Sequence, residues 1–232
     1  MTDILIVARR ELQDVLGRKI LVIFLIVMGA FLGVYTPLDF LQYRYQFLGG
    51  MQAALDIYTG SLFLGTSLAL GWGMTTSSFL PEKFERTIET LLTTPLSPRA
   101  IWLGKTVALF VLSYPVTLTC GLVFIILLNH IATPGSFIGP SVLGWVNILI
   151  VAPVFSFTTI ALTGLSEMVL TYPQIGQFVA FGVFYAVYRL GLTRPTDTWL
   201  IGVYAAVAAG LSIVTAFAAR FLDRERIVLS IK

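Results

Sequence analysis

The charged residues of this chain gather in a few short segments, and one of them runs from Pro81 to Pro98 as PEKFERTIETLLTTPLSP. Its charged side chains alternate with apolar ones and are Glu82, Lys83, Glu85, Arg86 and Glu89. Carboxylates and basic groups at this spacing suit ion pairs with another protein, because a helix that only lies on lipid is generally richer in Lys and Arg than in Glu. The segment is therefore a candidate docking surface.

Residue patterns that would support catalysis or a metal site are absent from the sequence. It contains no H-E-x-x-H, no G-x-S-x-G and no clustered acidic metal motif. Cys120 is the single cysteine, so an intrachain disulfide and a cysteine zinc cluster are both excluded. Gly104 and Lys105 follow a leucine instead of a glycine-rich loop, so they form no nucleotide-binding motif.

The composition identifies the environment in which those segments must be positioned. Of the 232 residues, 57% are hydrophobic and 12% are charged, which is about half the usual charged share of ~25%. Mean hydropathy is +0.89. No charged residue occurs between Lys105 and Glu167. A soluble fold could not bury that much apolar surface, so we expect a single all-α transmembrane domain over residues 1–232.

Six segments are apolar over roughly the 20 residues that a membrane crossing requires. As helices, they satisfy their own backbone groups in lipid, and their apolar runs lack the alternation of a transmembrane β-barrel. The predicted spans are residues 20–35, 51–80, 101–129, 141–165, 175–192 and 199–219.

The distribution of Lys and Arg predicts the orientation of these spans. With the N-terminus inside, three of the 15 basic residues fall outside: Arg44, Arg189 and Arg194. Such a bias places the more basic segments in the cytoplasm. We therefore expect a multi-pass protein of the cell membrane with both termini cytoplasmic.

An amphipathic helix is predicted over residues 2–19, before the first span. Its apolar positions recur every three or four residues and are Leu5, Ala8, Leu12, Val15 and Leu16. Arg9, Arg10 and Glu11 lie mostly away from that face. The helix should rest in the membrane interface, either as a plain anchor or as a lateral strut that receives force from a partner.

A second amphipathic helix is predicted over residues 81–95, between spans two and three. Pro81 suits a first helical turn, and Pro95 would end the helix. Its apolar stripe consists of Phe84, Ile88, Leu91 and Leu92. The alternatives are a lipid-facing connector and a docking helix for a cytoplasmic protein.

These residues resemble the permease subunit of ABC-2 type ABC transporters. The resemblance lies in EKFERTIETLLTTPLSPRAIWLGK, from Glu82 to Lys105. It is similar to the family's E-[KR]-E-x-G-T-[LI]-E-x-L-L-x-[TS]-P-[LI]-S followed by G-K. Phe84 stands where Glu is common, and Arg86 stands where Gly is common. The N-terminal RRELQDVLGRK and the RFLDRER tail also look like the family's layout.

The resemblance implies a mechanism and its partners. Two permease subunits, either two copies of this chain or this chain with a related one, would pair in the bilayer, and each would bind a separate cytoplasmic ATPase that holds ATP and Mg²⁺. The 81–95 segment would be the coupling helix that carries ATPase motion into the spans. No cofactor in this chain and no nucleic-acid partner are implied. The implied docking residues are Glu82, Phe84, Glu85, Ile88, Glu89, Leu91 and Leu92.

Other functions remain open at this stage. Within the family, the runner-up is a subunit like the haem-exporter B protein of cytochrome c maturation. Outside it, the chain could be a non-transporting membrane anchor or sensor subunit, while a membrane-integral enzyme is disfavoured by the missing motifs. An exporter is the expectation, and the cargo, the transport direction and the ATPase are undetermined by the sequence.

Overall fold

The computed structural model describes residues 2–30, 51–85, 96–132, 135–170 and 197–223, together with positions 172, 178, 182, 185 and 227. Within those residues, every regular element is a helix. The helices are α1 (Thr2–Gly17), α2 (Lys19–Ala30), α3 (Met51–Phe84), α4 (Pro98–Ala132), α5 (Val142–Val146), α6 (Ala152–Val169) and α7 (Asp197–Ala218). A π-helical turn joins α5 to α6, and a 3-10 turn follows α7.

Three of the described helical stretches are long and apolar enough to cross a membrane: Pro98–Ile131, Val142–Val169 and Ile201–Phe221. They coincide with the predicted spans at 101–129, 141–165 and 199–219. Large apolar side chains point outward from them, including Ile213, which is 71% exposed. Lipid is the solvent that suits such surfaces. The all-helical, membrane-like character expected from composition is thereby confirmed.

The other predicted spans are covered to different extents. α3 extends over the predicted 51–80 span, and α2, Lys19–Ala30, includes residues 20–30 of the predicted 20–35 span, whose residues 31–35 lie outside the described residues. The segment predicted at 175–192 lies outside the described residues, apart from isolated positions.

The core forms where α3, α4 and α6 pack together. Met74 and Phe79 of α3 meet Trp102 of α4 and Ile160 of α6 in one buried cluster. The Trp102 indole N–H donates to the carbonyl of Ala161 at 2.9 Å, which fixes α4 against α6. Two glycines make room for these side chains, since a Cβ at Gly71 would lie 2.8 Å from Ile160 and one at Gly164 would lie 3.1 Å from the Phe79 ring.

Buried hydroxyl groups in these helices mostly bond to their own helix. Thr75, Thr106 and Thr163 each donate to the carbonyl four residues earlier, at distances of 2.5, 2.9 and 2.8 Å. These bonds satisfy the hydroxyls without a ligand. The arrangement favours helix packing over a polar pathway as the reason for these hydroxyls.

The π-helical turn at Asn147–Val151 ends two residues before Pro153. In this turn the Ala152 N–H bonds to the Asn147 carbonyl, five residues back. The next carbonyl, that of Ile148, would bond to residue 153, and proline has no N–H. The Tyr114 hydroxyl of α4 donates to Ile148 instead, at 2.5 Å. The missing N–H of Pro153 thus accounts both for the break in the helical hydrogen bonds and for the bond from Tyr114 to the Ile148 carbonyl.

The prediction that Pro81 begins a separate helix is wrong. α3 continues through Pro81 to Phe84, and the Glu85 N–H donates to the Pro81 carbonyl at 2.8 Å. A proline inside a helix deprives the carbonyl four residues earlier of its donor. Here that carbonyl belongs to Ser77, and the Arg18 guanidinium donates to it at 3.0 Å. Residues 86–95 of the predicted coupling helix lie outside the described residues.

Candidate functional site

The residues predicted to dock a partner occupy two different environments where the structure describes them. Phe84 is 75% exposed, and Glu85 beside it is also exposed. Arg9 and Arg10 are exposed on α1, where Arg10 lies 4.0 Å from Asp14. Four further predicted docking residues lie outside the described residues: Ile88, Glu89, Leu91 and Leu92.

Glu11 and Glu82 are the ion-pair partners of Lys105. Glu11 is buried, contrary to the expectation that it lies on a polar surface, whereas the Glu82 side chain is partly buried, at 21% exposure. The Lys105 Nζ lies 2.7 Å from Glu11 Oε2 and 2.7 Å from Glu82 Oε1. Lys105 is 3% exposed and Glu11 is 7% exposed. A charge in so dry a position requires opposite charges, which explains why both carboxylates turn inward.

One hydroxyl and one aromatic ring complete this arrangement. Lys105 Nζ lies 3.3 Å from the Ser78 oxygen and 5.2 Å from the centroid of the Phe79 ring. The Ser78 hydroxyl donates to the other carboxylate oxygen of Glu11. We call Glu11, Ser78, Glu82 and Lys105 the ionic cluster. It joins α1, the end of α3 and the start of α4 through charge-assisted hydrogen bonds.

The ionic cluster holds two carboxylates and one ammonium group. Burial raises the pKa of Glu82 above its ordinary value, and the Lys105 ammonium opposes that shift. Glu82 lies just beyond the predicted second span. The charge of Arg18 also lowers the pKa of Glu82, as the charge of Lys105 does. The cluster therefore depends on its single lysine for charge balance.

The Gly104-Lys105 pair of the sequence motif explains how α1 reaches the ionic cluster. A Cβ atom at Gly104 would lie 2.6 Å from the Cβ of Val7 and 2.9 Å from the Ile4 carbonyl oxygen. Only glycine allows the backbones of α1 and α4 to approach this closely. The next residue, Lys105, then meets Glu11, which lies one helical turn beyond Val7.

Sequence reasoning matched Lys105 to the motif without assigning it a partner. The signal was present, because Lys105 lies inside the predicted 101–129 span, and a charge in such a segment normally pairs within the protein. Periodicity shows which face of a helix carries a charge, but it leaves open which other element covers that face.

A second buried contact joins the end of α3 to the end of α6. The Lys83 ammonium donates to the carbonyls of Glu167 and Leu170, at 3.1 and 2.6 Å. Such bonds satisfy carbonyls that a helix end leaves without intrahelical donors. The Glu167 carboxylate, 1% exposed, accepts from the Thr76 hydroxyl at 3.0 Å. The Glu167 side chain is thus part of the packed structure.

Burial also affects the pKa of Lys83. It lowers the pKa of this lysine, and the Glu167 carboxylate opposes the shift. Lys83 and the ionic cluster lie at the same end of the helices, which we call the charged end. There, residues 76–83 of α3 contact three other helices: α1, α4 and α6.

At the opposite end, Asp56 has a structural position. It is 3% exposed, and its Oδ1 accepts from the Ser141 N–H at 2.8 Å, just before α5 begins. A Cβ at Gly144 would lie 2.3 Å from that oxygen. Asp56 is therefore part of the packing between α3 and the start of α5. His130, at the same end, is exposed.

The described residues bring together no group of three or more His, Cys, Asp or Glu side chains that could hold a metal ion. The charged end contains ion pairs and charge-assisted hydrogen bonds that link neighbouring helices. Motion of the α3 end would act directly on α1, α4 and α6, because buried charges connect all four.

Comparisons of this chain with protein-family models, with curated proteins and with solved structures give no match. The resemblance of residues 82–105 to the ABC-2 permease motif therefore depends on the sequence itself.

Proposed function

We propose that this chain is the membrane subunit of an ATP-driven ABC-2 type transporter, most consistent with an exporter. A separate cytoplasmic ATPase would supply ATP hydrolysis, and a second copy of this chain or a related permease would complete the membrane part. The motif from Glu82 to Lys105 motivates the proposal. The observation that carries it is the ionic cluster, in which the two end residues of that motif, Glu82 and Lys105, pair with each other and Lys105 also pairs with Glu11 of α1.

In such a transporter, the ionic cluster would connect the motif to the neighbouring helices. A partner that pushes on the segment after α3 would move Glu82 and Lys83, which are bonded to α4 and α6. α1 would follow, since Glu11 shares Lys105 with Glu82. Rigid connections of this kind are what transmission of force between subunits requires.

The exposed residues at the charged end would supply the contact with the ATPase. Phe84 offers an apolar side chain, and Glu85 offers a charge beside it. Glu89, together with the apolar stripe of the predicted coupling helix, would extend the same surface. Aromatic residues flanked by charges are common centres of protein interfaces.

The remaining features of the proposal are topological. Six spans would place both termini and the charged end in the cytoplasm of a cell-membrane protein. The charged end would then face the compartment in which ATP is available.

The proposal is tested by purifying the chain with the ABC ATPase encoded beside it, reconstituting both in lipid and measuring ATP hydrolysis. Glu85→Ala and Glu89→Ala remove docking charges, so they should weaken ATPase binding, by about tenfold for a lost interaction of ~1.4 kcal/mol. Glu82→Gln keeps the docking surface and disturbs the ionic cluster. It should leave the complex assembled while reducing the effect of the permease on hydrolysis.

Asp14→Ala is the matched control, because Asp14 is an exposed carboxylate on α1 whose described contact is a surface pair with Arg10. It should change neither assembly nor hydrolysis. If the wild-type chain binds no ATPase, the proposal fails, and a membrane anchor or sensor function becomes the better explanation.

A further inference from the structure

A groove of about 540 Å³ opens on the side of the bundle between α4, α6 and α7. Its lining is almost entirely apolar and includes Leu103, Phe110, Phe157, Ala161 and Ala216. The volume is within the range of small-molecule sites, ~300–1,000 Å³. All three helices belong to the stretches that are long and apolar enough to cross a membrane, so in a bilayer the groove would face lipid.

The groove is about as long as one leaflet is deep. Along α4 its lining extends from Trp102 to Phe110, which are roughly 6 and 18 Å from the start of the helix at ~1.5 Å per residue. One leaflet contributes about half of the ~30 Å hydrocarbon thickness. A groove of this depth and polarity matches an acyl chain that enters from the charged end.

Two arginines adjoin lining residues at the end of the groove nearest the charged end, which we call its mouth. Arg99 precedes Leu103 by one turn of α4, and Arg220 directly follows Ala219, which also lines the groove. The Arg99 guanidinium donates to the Arg220 carbonyl at 3.1 Å, so it is held beside the end of α7. Both arginine side chains are exposed, and Asp223 adjoins them, so the described residues of this mouth carry two positive charges and one negative charge.

We propose that this groove binds an anionic glycerophospholipid, with one acyl chain between α4, α6 and α7 and the phosphate beside Arg99 and Arg220. The apolar lining accounts for the chain, and the basic mouth accounts for the charge of the headgroup. Arginine is well suited to phosphate because its planar group donates two parallel hydrogen bonds. The proposal is independent of any ATPase partner.

The test is native mass spectrometry of the purified full-length chain in detergent, titrated with palmitoyl-oleoyl phosphatidylglycerol and, separately, with the phosphatidylcholine of the same chains. The wild-type chain should bind phosphatidylglycerol more tightly. Arg99→Gln should weaken that binding about fivefold and leave phosphatidylcholine nearly unchanged, because one basic group near an anionic lipid contributes about that much. Arg9→Gln is the control, since Arg9 is exposed on α1 and is not part of the groove.

Ala216→Phe tests the groove itself, because Ala216 is an exposed small residue of its lining. The larger side chain should weaken the binding of both lipids. Equal affinity of the wild type for the two lipids, or equal effects of Arg99→Gln and Arg9→Gln, would overturn the proposal. A change in oligomeric state on Ala216→Phe, or its earlier unfolding in lipid-free detergent, would show that protein fills the groove and would overturn the proposal as well.

Discussion

Lys105 is the residue on which the charged end most depends. Its ammonium group lies 2.7 Å from each of two carboxylates, and the lysine is 3% exposed. Removal of one partner from a buried ion pair is costly, because the remaining charges keep their desolvation penalty without compensation. In this cluster, loss of the lysine would leave two carboxylates close together.

We therefore expect Lys105→Met to destabilise the protein by about 3–5 kcal/mol, and Lys105→Met with Glu82→Gln to recover part of the loss. The measurement is thermal unfolding in detergent, followed by the reaction of a fluorescent maleimide with Cys120. Cys120 is buried, at 5% exposure, so its thiol should react only as the helices separate.

The deficit of Lys105→Met should also depend on pH. Burial raises the pKa of Glu82, and the variant lacks the ammonium that opposes this shift. A carboxyl with a raised pKa binds more protons in the folded state, so its stabilising contribution is present at low pH and is lost as pH rises through that pKa. The variant should be closer to wild type near pH 5 than near pH 8. Lys19→Met removes an exposed lysine and should show neither the loss of stability nor its pH dependence. If Lys105→Met and Lys19→Met unfolded alike, the role given to the Lys105 ion pairs would be contradicted.

At the scale of elements, the contact between α1 and α4 determines whether the ionic cluster can form. The contact is close because Gly104 has no side chain, and an added Cβ would lie within 2.6 Å of Val7 and 2.9 Å of the Ile4 backbone oxygen. Gly104→Ala should therefore displace α1, separate Glu11 from Lys105 and cost about 1–3 kcal/mol. Proteolysis of α1 in the purified protein, quantified against time, would measure the displacement.

Gly210→Ala provides the control for that variant. Gly210 lies inside α7, and a Cβ there meets nothing within 4 Å. Alanine favours a helix interior over glycine by roughly 1 kcal/mol, so this change should be neutral or slightly stabilising. Equal resistance of α1 to protease in the two variants would mean that the close approach at Gly104 is unimportant.

The same elements show which features a sequence reveals and which it hides. Apolar runs predicted α4, the 142–169 stretch and α7, because lipid imposes the same requirement along a whole segment. Pro81 was misinterpreted, because its tolerance inside α3 depends on Arg18, which is distant in the chain and donates to the Ser77 carbonyl. Glu11 was placed on a polar face for a similar reason: periodicity describes one helix, whereas burial depends on its neighbours.

For the whole molecule, the separation of its charged and apolar parts is the feature that predicts its orientation. The ionic cluster, Lys83 and the groove arginines Arg99 and Arg220 lie at one end of the helices. The opposite end carries a turn at Gly135, which is followed by the exposed Ser136, and the buried contact of Asp56 with Ser141. α4 joins the two ends over 35 residues, about 50 Å at ~1.5 Å per residue, which exceeds the ~30 Å hydrocarbon layer. The two ends should therefore be on opposite sides of the membrane.

Single cysteines in a Cys120→Ala background would measure this orientation in intact cells. Ser136→Cys should react with a membrane-impermeant maleimide applied outside, and Phe84→Cys, at an exposed position, should react only after permeabilisation. Leu109→Cys is the control, because Leu109 is 0% exposed and should remain unlabelled in both conditions. Basic segments stay on the cytoplasmic side during insertion, so reversed labelling would contradict the assigned orientation. Labelling of Ser136→Cys and Phe84→Cys from the same side would contradict the membrane crossing by α4 itself, because these two positions lie near opposite ends of that helix.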